Sequence, residues 1–493
     1  MFVQDLVRYS ARRYGDAPAI VEGDRTLSFI EFEKQTMRLG NALLASGLRP
    51  GDRVSSVLPN CVEELLVYVA LARTGLIRVG LNARDTADDH AFKIGDSGSR
   101  ALISDLEGLP DTELRFSRED VNRMAATGPD GPCDFPIDPA DMYRLAYTGG
   151  TTGRSKGVIL TLRTLQAQVN GYLLEHVPGI VQGDVMLHAA PVSHASGSYF
   201  LPHLVSGATS VLLPAFRASE FLEHLERTGA QRTFLVPTMI AALLEEPNIE
   251  DVRVPQLRQI SYGASPIAPT VAERSEEIFG QVLAQTFGQA EAPMCITHLR
   301  PEDHDRVGSA GRPYAQTAVR IVDEEDRDVE PGESGEIVCR GAIVSKGYWN
   351  QQEATAETHR NGWLHTGDIG YMDADGFVFL LDRKNDMIIS GGFNVYPREI
   401  EDVLTTHPAV IEAAVISIAD DKWGEVVHAV VKVREAVDGD DLEQYMRDRV
   451  AGYKLPRGFH VWDDIPKSAA GKLMRREVRD RIRSAQNVTE AVT

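Results

Sequence analysis

The chain has 493 residues, 43% of them hydrophobic and 25% charged, with a formal charge of −21. That length exceeds one ordinary hydrophobic core and allows about three domains or sub-domains. The composition is that of a soluble globular protein, and the acidic surplus argues against nucleic acid or an anionic membrane surface as a general partner while leaving room for a local basic loop.

The opening MFVQDLVRYSARRYGD carries charges where a signal peptide has its apolar core. No run of about 18 uncharged apolar residues follows, so no integral membrane segment is expected and the location expected is cytoplasmic. Helical spacing at 36–46 and 62–73 alternates with short apolar runs at 53–58, 101–104 and 210–213, as in a parallel sheet covered by helices. The Pro/Gly/Asp-rich stretch 128–138 interrupts this pattern without ending it and reads as a loop within one large domain. Cys61, Cys133, Cys295 and Cys339 are widely spaced, with neither metal-ligand spacing nor disulfide density, and read as reduced thiols.

Tyr147-Thr-Gly-Gly-Thr-Thr-Gly-Arg-Ser-Lys-Gly157 follows the strand-like Met142 to Tyr147 and is built for a polyphosphate. Gly149, Gly150 and Gly153 bring backbone N–H groups close to phosphate oxygens, Thr148, Thr151 and Thr152 supply hydroxyls, and Lys156 adds a mobile charge. It is not a Walker A loop, because lysine here precedes glycine and Val158 to Thr161 reads as another strand instead of a helix. A surface turn would account for the glycines but not for the density of threonine and lysine.

Farther along, Ser261-Tyr-Gly-Ala-Ser-Pro266 and Gln285-Thr-Phe-Gly-Gln-Ala-Glu291 turn at glycine after apolar strands, where ligands bind in layered α/β sheets. His365-Thr-Gly-Asp368 places a carboxylate suited to a ribose diol, and Glu291 is a hard oxygen ligand suited to a phosphate-linked Mg²⁺. Trp363, beside that turn, reads as packing. The charged cluster Asp382-Arg-Lys-Asn-Asp386 follows the strand 377–381 and separates a first domain, 1–382, from a second, 383–493. In the second, helical patterns at 397–406 and 440–450 flank β-like runs at 411–418 and 426–433, and Pro466-Lys-Ser-Ala-Ala-Gly-Lys-Leu-Met-Arg475 sets Lys472 among small residues.

Taken in order, the loop at 147–157, PVSHASG at 191–197, the GASP turn, FGQAE, TGD, DRKND, Ser390-Gly-Gly-Phe-Asn-Val-Tyr-Pro397 and PKSAAGK resemble the adenylate-forming superfamily of acyl-CoA synthetases, adenylation domains and luciferases, along essentially the whole chain. The resemblance implies an α/β fold, with a large N-terminal domain of layered α/β sheets and a small mobile α+β C-terminal domain. It implies ATP, Mg²⁺ and CoA, and two half-reactions: a carboxylate attacks the α-phosphorus of ATP and expels pyrophosphate, and a thiol then attacks the acyl carbonyl of the adenylate and expels AMP. On this match Lys472 bridges carboxylate and phosphate, Glu291 holds the metal, and Asp368 and Arg383 hold the ribose. Gly263, Ala264, Ser265, Thr286, Phe287, Gly288 and Gln289 lie about the nucleotide, Gly391 and Gly392 line the thiol tunnel, Asn385 is the hinge, and His194 gates the acid pocket.

Three departures stand out. Asn385 replaces the usual Asp or Lys, Ala290 replaces a Thr that bonds the α-phosphate, and Gly149 replaces the commoner Ser. The segment 191–204 has no aspartate to pair an α-ammonium and no arginine for a second carboxylate, which disfavours amino acids and malonate-like acids. His194, Ser196, Gly197, Val236, Met239, Gly263 and Met294 then outline an apolar pocket for a fatty or aromatic acid. The partners expected are that small carboxylic acid and CoA, with an acyl carrier protein as the alternative acceptor: Arg475, Arg476, Arg479, Arg481 and Arg483 offer a basic patch for one. A homodimer is compatible with the sequence, and a nucleotide-binding pseudoenzyme is the remote alternative that Ala290 and Asn385 raise.

Overall fold

Ser28 fixes the start of the first long helix: its side chain accepts from Glu31 N, and Glu31 Oε2 accepts from Ser28 N at 2.8 Å. This reciprocal cap begins the helix Phe29–Ala45 a full turn or more ahead of the start that the periodicity suggests, because the cap and not the apolar stripe sets the first residue. A computed structural model describes residues 2–136, 138–147, 155–390, 392–420, 423–467 and 473–490, the last six of these by backbone alone. The loop 148–154, with Thr148, Gly149, Gly150, Thr151, Thr152 and Gly153, lies outside the described residues, as do Gly391 and Lys472.

Three sheets organise the described chain, of thirteen, six and five strands. They are not the simple parallel sheet expected. In the six-stranded sheet five strands run parallel and Gly157–Thr161 turns back antiparallel to Met142–Tyr147. In the thirteen-stranded sheet the strands from Pro18–Glu22 to Leu283–Gln289 pair in parallel. Beyond Leu283–Gln289 every pairing is antiparallel, because Ala290 and Glu291 return the chain directly into Ala292–Leu299 with no crossover helix.

The helix Val62–Thr74 is buried on every side. Its charges are paired accordingly: Arg73 reaches Glu33 at 3.2 Å and Asp134 at 3.0 Å, and Glu63 takes Arg118 Nε at 2.6 Å. All four cysteines are buried and unpaired. Among the described residues no helix is long and apolar enough to cross a membrane.

Val378–Arg383 is the last strand of the large sheet, and Ile388–Ser390 is the first of the five-stranded one, so residues 384–387 make the passage. The smaller unit follows the expected order of helix Pro397–Thr405, strands Val410–Asp420 and Gly424–Val433, and helix Gly439–Arg447, around a core of its own.

Candidate active site

The phosphate-type loop is the connection of a hairpin in which Tyr147 stands opposite Gly157. Asp96 holds one end directly and the other through Trp349: Tyr147 donates its hydroxyl to Asp96 Oδ2 at 2.6 Å, while Trp349, whose backbone N donates to Gly157 O, donates Nε1 to Asp96 O at 3.1 Å. Residues 346–349 run along the second strand through Lys346 N to Ile159 O at 3.0 Å, Ile159 N to Gly347 O at 2.9 Å and Trp349 N to Gly157 O at 2.7 Å. The loop therefore springs from rigid stems, as a site that cradles phosphate requires.

This strap carries Tyr348, which the sequence reading passed over. Its hydroxyl donates to Glu291 Oε1 at 2.6 Å, and the Lys156 ammonium lies 4.9 Å from the centre of its ring. Burial, and then the Glu291 charge, push the phenol well above the usual tyrosine range, so it remains a donor. One aromatic ring thus joins the residue expected to hold phosphate to the one expected to hold metal. The signal for it was Gly347-Tyr-Trp-Asn350, an aromatic pair between two residues of positive φ, +117° at Gly347 and +55° at Asn350.

Glu291 is 8% exposed, and of its two carboxylate oxygens Oε1 accepts from Tyr348 among the described residues. Its second oxygen suits a hard cation. No group of three or more His, Cys, Asp or Glu among the described residues could hold a metal ion unaided, so Mg²⁺ would draw most of its ligands from the nucleotide.

The residues expected about a nucleotide lie on adjacent strand ends. Gln259–Gly263 and Leu283–Gln289 pair with Gly263 opposite Thr286, so closely that a Cβ on Gly263 would stand 2.6 Å from Thr286 O. Ala264, just past the strand, is exposed at φ +69°, with Ser265 beside it. A Cβ on Gly288 would stand 2.6 Å from Ala292 O across the hairpin, and Phe287 and Gln289 flank this glycine half-buried. Thr286 is buried, and its hydroxyl bonds Met294 O, where the backbone takes φ +58°. Left-handed backbone at two non-glycine residues in one corner is strain of the kind that collects at binding sites.

Asp368 and Arg383 meet through strand register, opposite each other in the sheet with Arg383 Nε 2.7 Å from Asp368 Oδ1. Arg383 is 42% exposed, so the pair opens to solvent on one side. Asn385 is exposed in the turn that follows, where Asp386 N and Met387 N both donate to Arg383 O. Gly392, at φ +83°, follows the strand Ile388–Ser390 that pairs with Phe393–Val395. Trp363 packs under Arg340 and Arg320, at 4.6 and 5.0 Å from its ring centre.

Several residues expected to line the acid pocket converge. Ala195, Val236, Met239, Phe287 and Met294 pack against one buried cluster that includes Phe234 and Tyr199. His194 stands at the start of the turn Ala195–Tyr199, with Nδ1 2.8 Å from Ser193 Oγ. Burial, reinforced by Arg144, Arg78 and Lys93, pushes its imidazole down to about 3, so it is neutral at physiological pH. Ser196 is fully buried and bonds His188 Nδ1 at 2.8 Å, so its hydroxyl faces the core. Gly197 passes against the Val192 carbonyl, leaving no room for a Cβ.

A model of the AMP-binding enzyme family matches residues 7–349, and one of the AMP-binding enzyme C-terminal domain matches residues 399–472. The chain is 37% identical over 480 residues to feruloyl-CoA synthase of an Amycolatopsis species, covering 96% of this chain and 97% of that protein. It is 32% identical over 501 residues to a fatty acid–[acyl-carrier-protein] ligase of Streptomyces coeruleorubidus, covering 97% and 96%. The structure of o-succinylbenzoate CoA synthetase of Bacillus subtilis with its acyl-adenylate intermediate matches with a TM-score of 0.88 at 33% identity, covering 96% and 97%. Fold and site together are those of an adenylate-forming enzyme. The chain belongs to the AMP-binding enzyme family, on its acyl- and aryl-CoA ligase branch.

Proposed function

We propose that the protein is an ATP- and Mg²⁺-dependent acid–thiol ligase that converts an apolar or aromatic carboxylic acid to its adenylate and passes the acyl group to CoA. The observation that carries this reading is the Lys156, Tyr348 and Glu291 chain, set beside the 148–154 loop and one hairpin away from the apolar cluster around Met294. The feruloyl-CoA synthase and o-succinylbenzoate CoA synthetase relatives support an aryl acid in particular.

Two anions must meet in the first step, and the residues present serve that need. Lys156 and the loop amides hold the β- and γ-phosphates, Asp368 and Arg383 hold the ribose, and Lys472 bridges the attacking carboxylate and the α-phosphate. Glu291 would hold Mg²⁺, which would supply neutralising charge for the phosphates. Neutral His194 closes the acid pocket without adding a charge that would trap the carboxylate as a static ion pair. The domain division at 382/383 and the turning of the smaller domain about Asn385, which exchanges Lys472 for the Gly391 and Gly392 tunnel, belong to the same reading.

The carrier-protein alternative draws on the Streptomyces coeruleorubidus relative. The structure thins the basic patch behind it: Arg475 is buried among carboxylates, and Arg481 pairs with Glu477. Incubating the enzyme with ATP, an aryl and fatty acid panel, and either CoA or a phosphopantetheinylated carrier tests the choice. Thioester on CoA with aryl acids supports the proposal; thioester on the carrier alone overturns it.

A further inference from the structure

The residues on either side of 468–472 are fixed to each other. Lys467 and Leu473 form an antiparallel bridge, and Met474 N donates to Pro466 O at 2.9 Å. Lys467 is itself tied to Glu412 Oε1 at 2.8 Å. One residue past Met474, Arg475 opens the helix Arg475–Glu490 with its guanidinium turned inward.

Three carboxylates surround that guanidinium, each from a different part of the chain. Glu401, on the helix Pro397–Thr405, is gripped by two bonds, Nη2 to Oε2 at 2.7 Å and Nε to Oε1 at 3.1 Å. Asp386, in the passage between the sheets, lies at 3.2 Å. Asp382, still on the last strand of the large sheet, lies at 3.7 Å. The same arginine therefore touches the large sheet, the passage and the smaller domain.

Fold stability alone does not call for this arrangement. Glu401 by itself neutralises Arg475, so the attraction of the half-buried Asp386 and of Asp382 comes on top of a charge already balanced, and for Asp382 it offsets only part of the cost of burial. Burial indeed pushes both Asp382 and Glu401 above the usual carboxylate range. Each acid also has backbone support of its own: Val415 N donates to Glu401 Oε1 at 2.8 Å, and Asp382 accepts from Arg383 N at 2.7 Å and Arg398 N at 2.9 Å. An arginine outnumbered by pre-oriented acids loses little when its longest contact, the one to Asp382, is released. That is the property of a swivel across a hinge.

We infer that Arg475 is a positioning residue for the adenylation step, fastening the stem of the Lys472 segment to the hinge carboxylates so that hinge angle and lysine delivery move as one unit. The inference rests on the reading of Lys472 as the adenylation lysine. In the full-length enzyme, Arg475→Met should slow acid-dependent pyrophosphate exchange about tenfold or more in kcat with KM for ATP and acid within about twofold, while thioester formation from pre-formed acyl-adenylate stays within about threefold. Arg475→Lys, which keeps the charge but not the fork, should recover part of the loss. Asp382→Asn leaves the smaller domain's own contacts in place and should alter the ratio of the two half-reaction rates by about threefold or more at unchanged Tm. Loss of both half-reactions together in Arg475→Met, or no change in that ratio for Asp382→Asn, overturns the inference. Lys472→Ala separates the layers: if exchange survives it, the underlying reading fails and takes the inference with it, whereas loss in Lys472→Ala with normal Arg475 and Asp382 variants sinks the inference alone.

Discussion

Tyr348 donates its hydroxyl to Glu291 at 2.6 Å while its ring carries the Lys156 ammonium at 4.9 Å, so a single side chain aligns the two groups proposed to share one polyphosphate. Tyr348→Phe keeps the ring under Lys156 and removes only the bond to Glu291. A hydrogen bond to a charged acceptor is worth about 1.5–3 kcal/mol, so adenylation should fall about tenfold or more, with the Mg²⁺ requirement rising and KM for the acid nearly unchanged. Pyrophosphate exchange titrated with Mg²⁺ measures this, and an unshifted Mg²⁺ curve would show that Tyr348 only packs.

Gly288→Ala tests the hairpin behind the nucleotide site. The added Cβ would meet the Ala292 carbonyl at 2.6 Å, backbone against backbone, and neither can yield cheaply. Stability should drop by about 2 kcal/mol or more in urea unfolding, together with weaker ATP binding. A neutral substitution would mean that the two strands separate more readily than their register implies.

Stability should fall on acidification. His176, His188 and His203 are each held down to about 3 by burial, from an ordinary value of 6.5. Between those limits the unfolded chain takes up protons that the folded chain refuses, so stability present above pH 6.5 is lost as pH falls toward 3. The slope approaches about 1.4 kcal/mol per pH unit for each histidine. Asp382 and Glu401, raised by burial, act in the opposite sense on the acid side and temper the loss. Tm measured from pH 7.5 down to pH 5 should decline steadily, and a flat profile would place the histidines in contact with water.

Much of this was legible beforehand, and the reasons differ by element. The helix Val62–Thr74 and the strands Arg53–Val57 and Ala101–Ser104 stand where the sequence pattern put them, because their apolar residues recur at helical or strand spacing even where polar residues are buried among them. The start of Phe29–Ala45 at the Ser28 cap was missed, since a cap is one residue wide and leaves no periodic trace. The mixed strand directions were missed because direction follows from which neighbour a strand pairs with. Glu291 and Asp368 were singled out by glycine turns and Arg383 by the family resemblance, and the strand register places Asp368 and Arg383 side by side. The roles of Tyr348 and Arg475 were not legible, as they arise from partners 57 residues away in the first case and 74 in the second.

Ala290 sits half-buried at the turn beside Glu291, packed at the edge of the main core. Ala290→Thr adds a hydroxyl next to Glu291, at the proposed phosphate site. Adenylation should be unchanged or a few-fold faster in single-turnover measurement. A severe loss would show that the alanine belongs to a reshaped site.

Acid-dependent exchange of labelled pyrophosphate into ATP bears most directly on the claim that this enzyme adenylates a carboxylic acid. With Mg²⁺ present, an aryl or apolar acid from the panel should drive exchange, no exchange should occur without acid, and AMP should appear only when a thiol is added in stoichiometric turnover. ATP binding with no exchange for any acid in the panel would contradict the account.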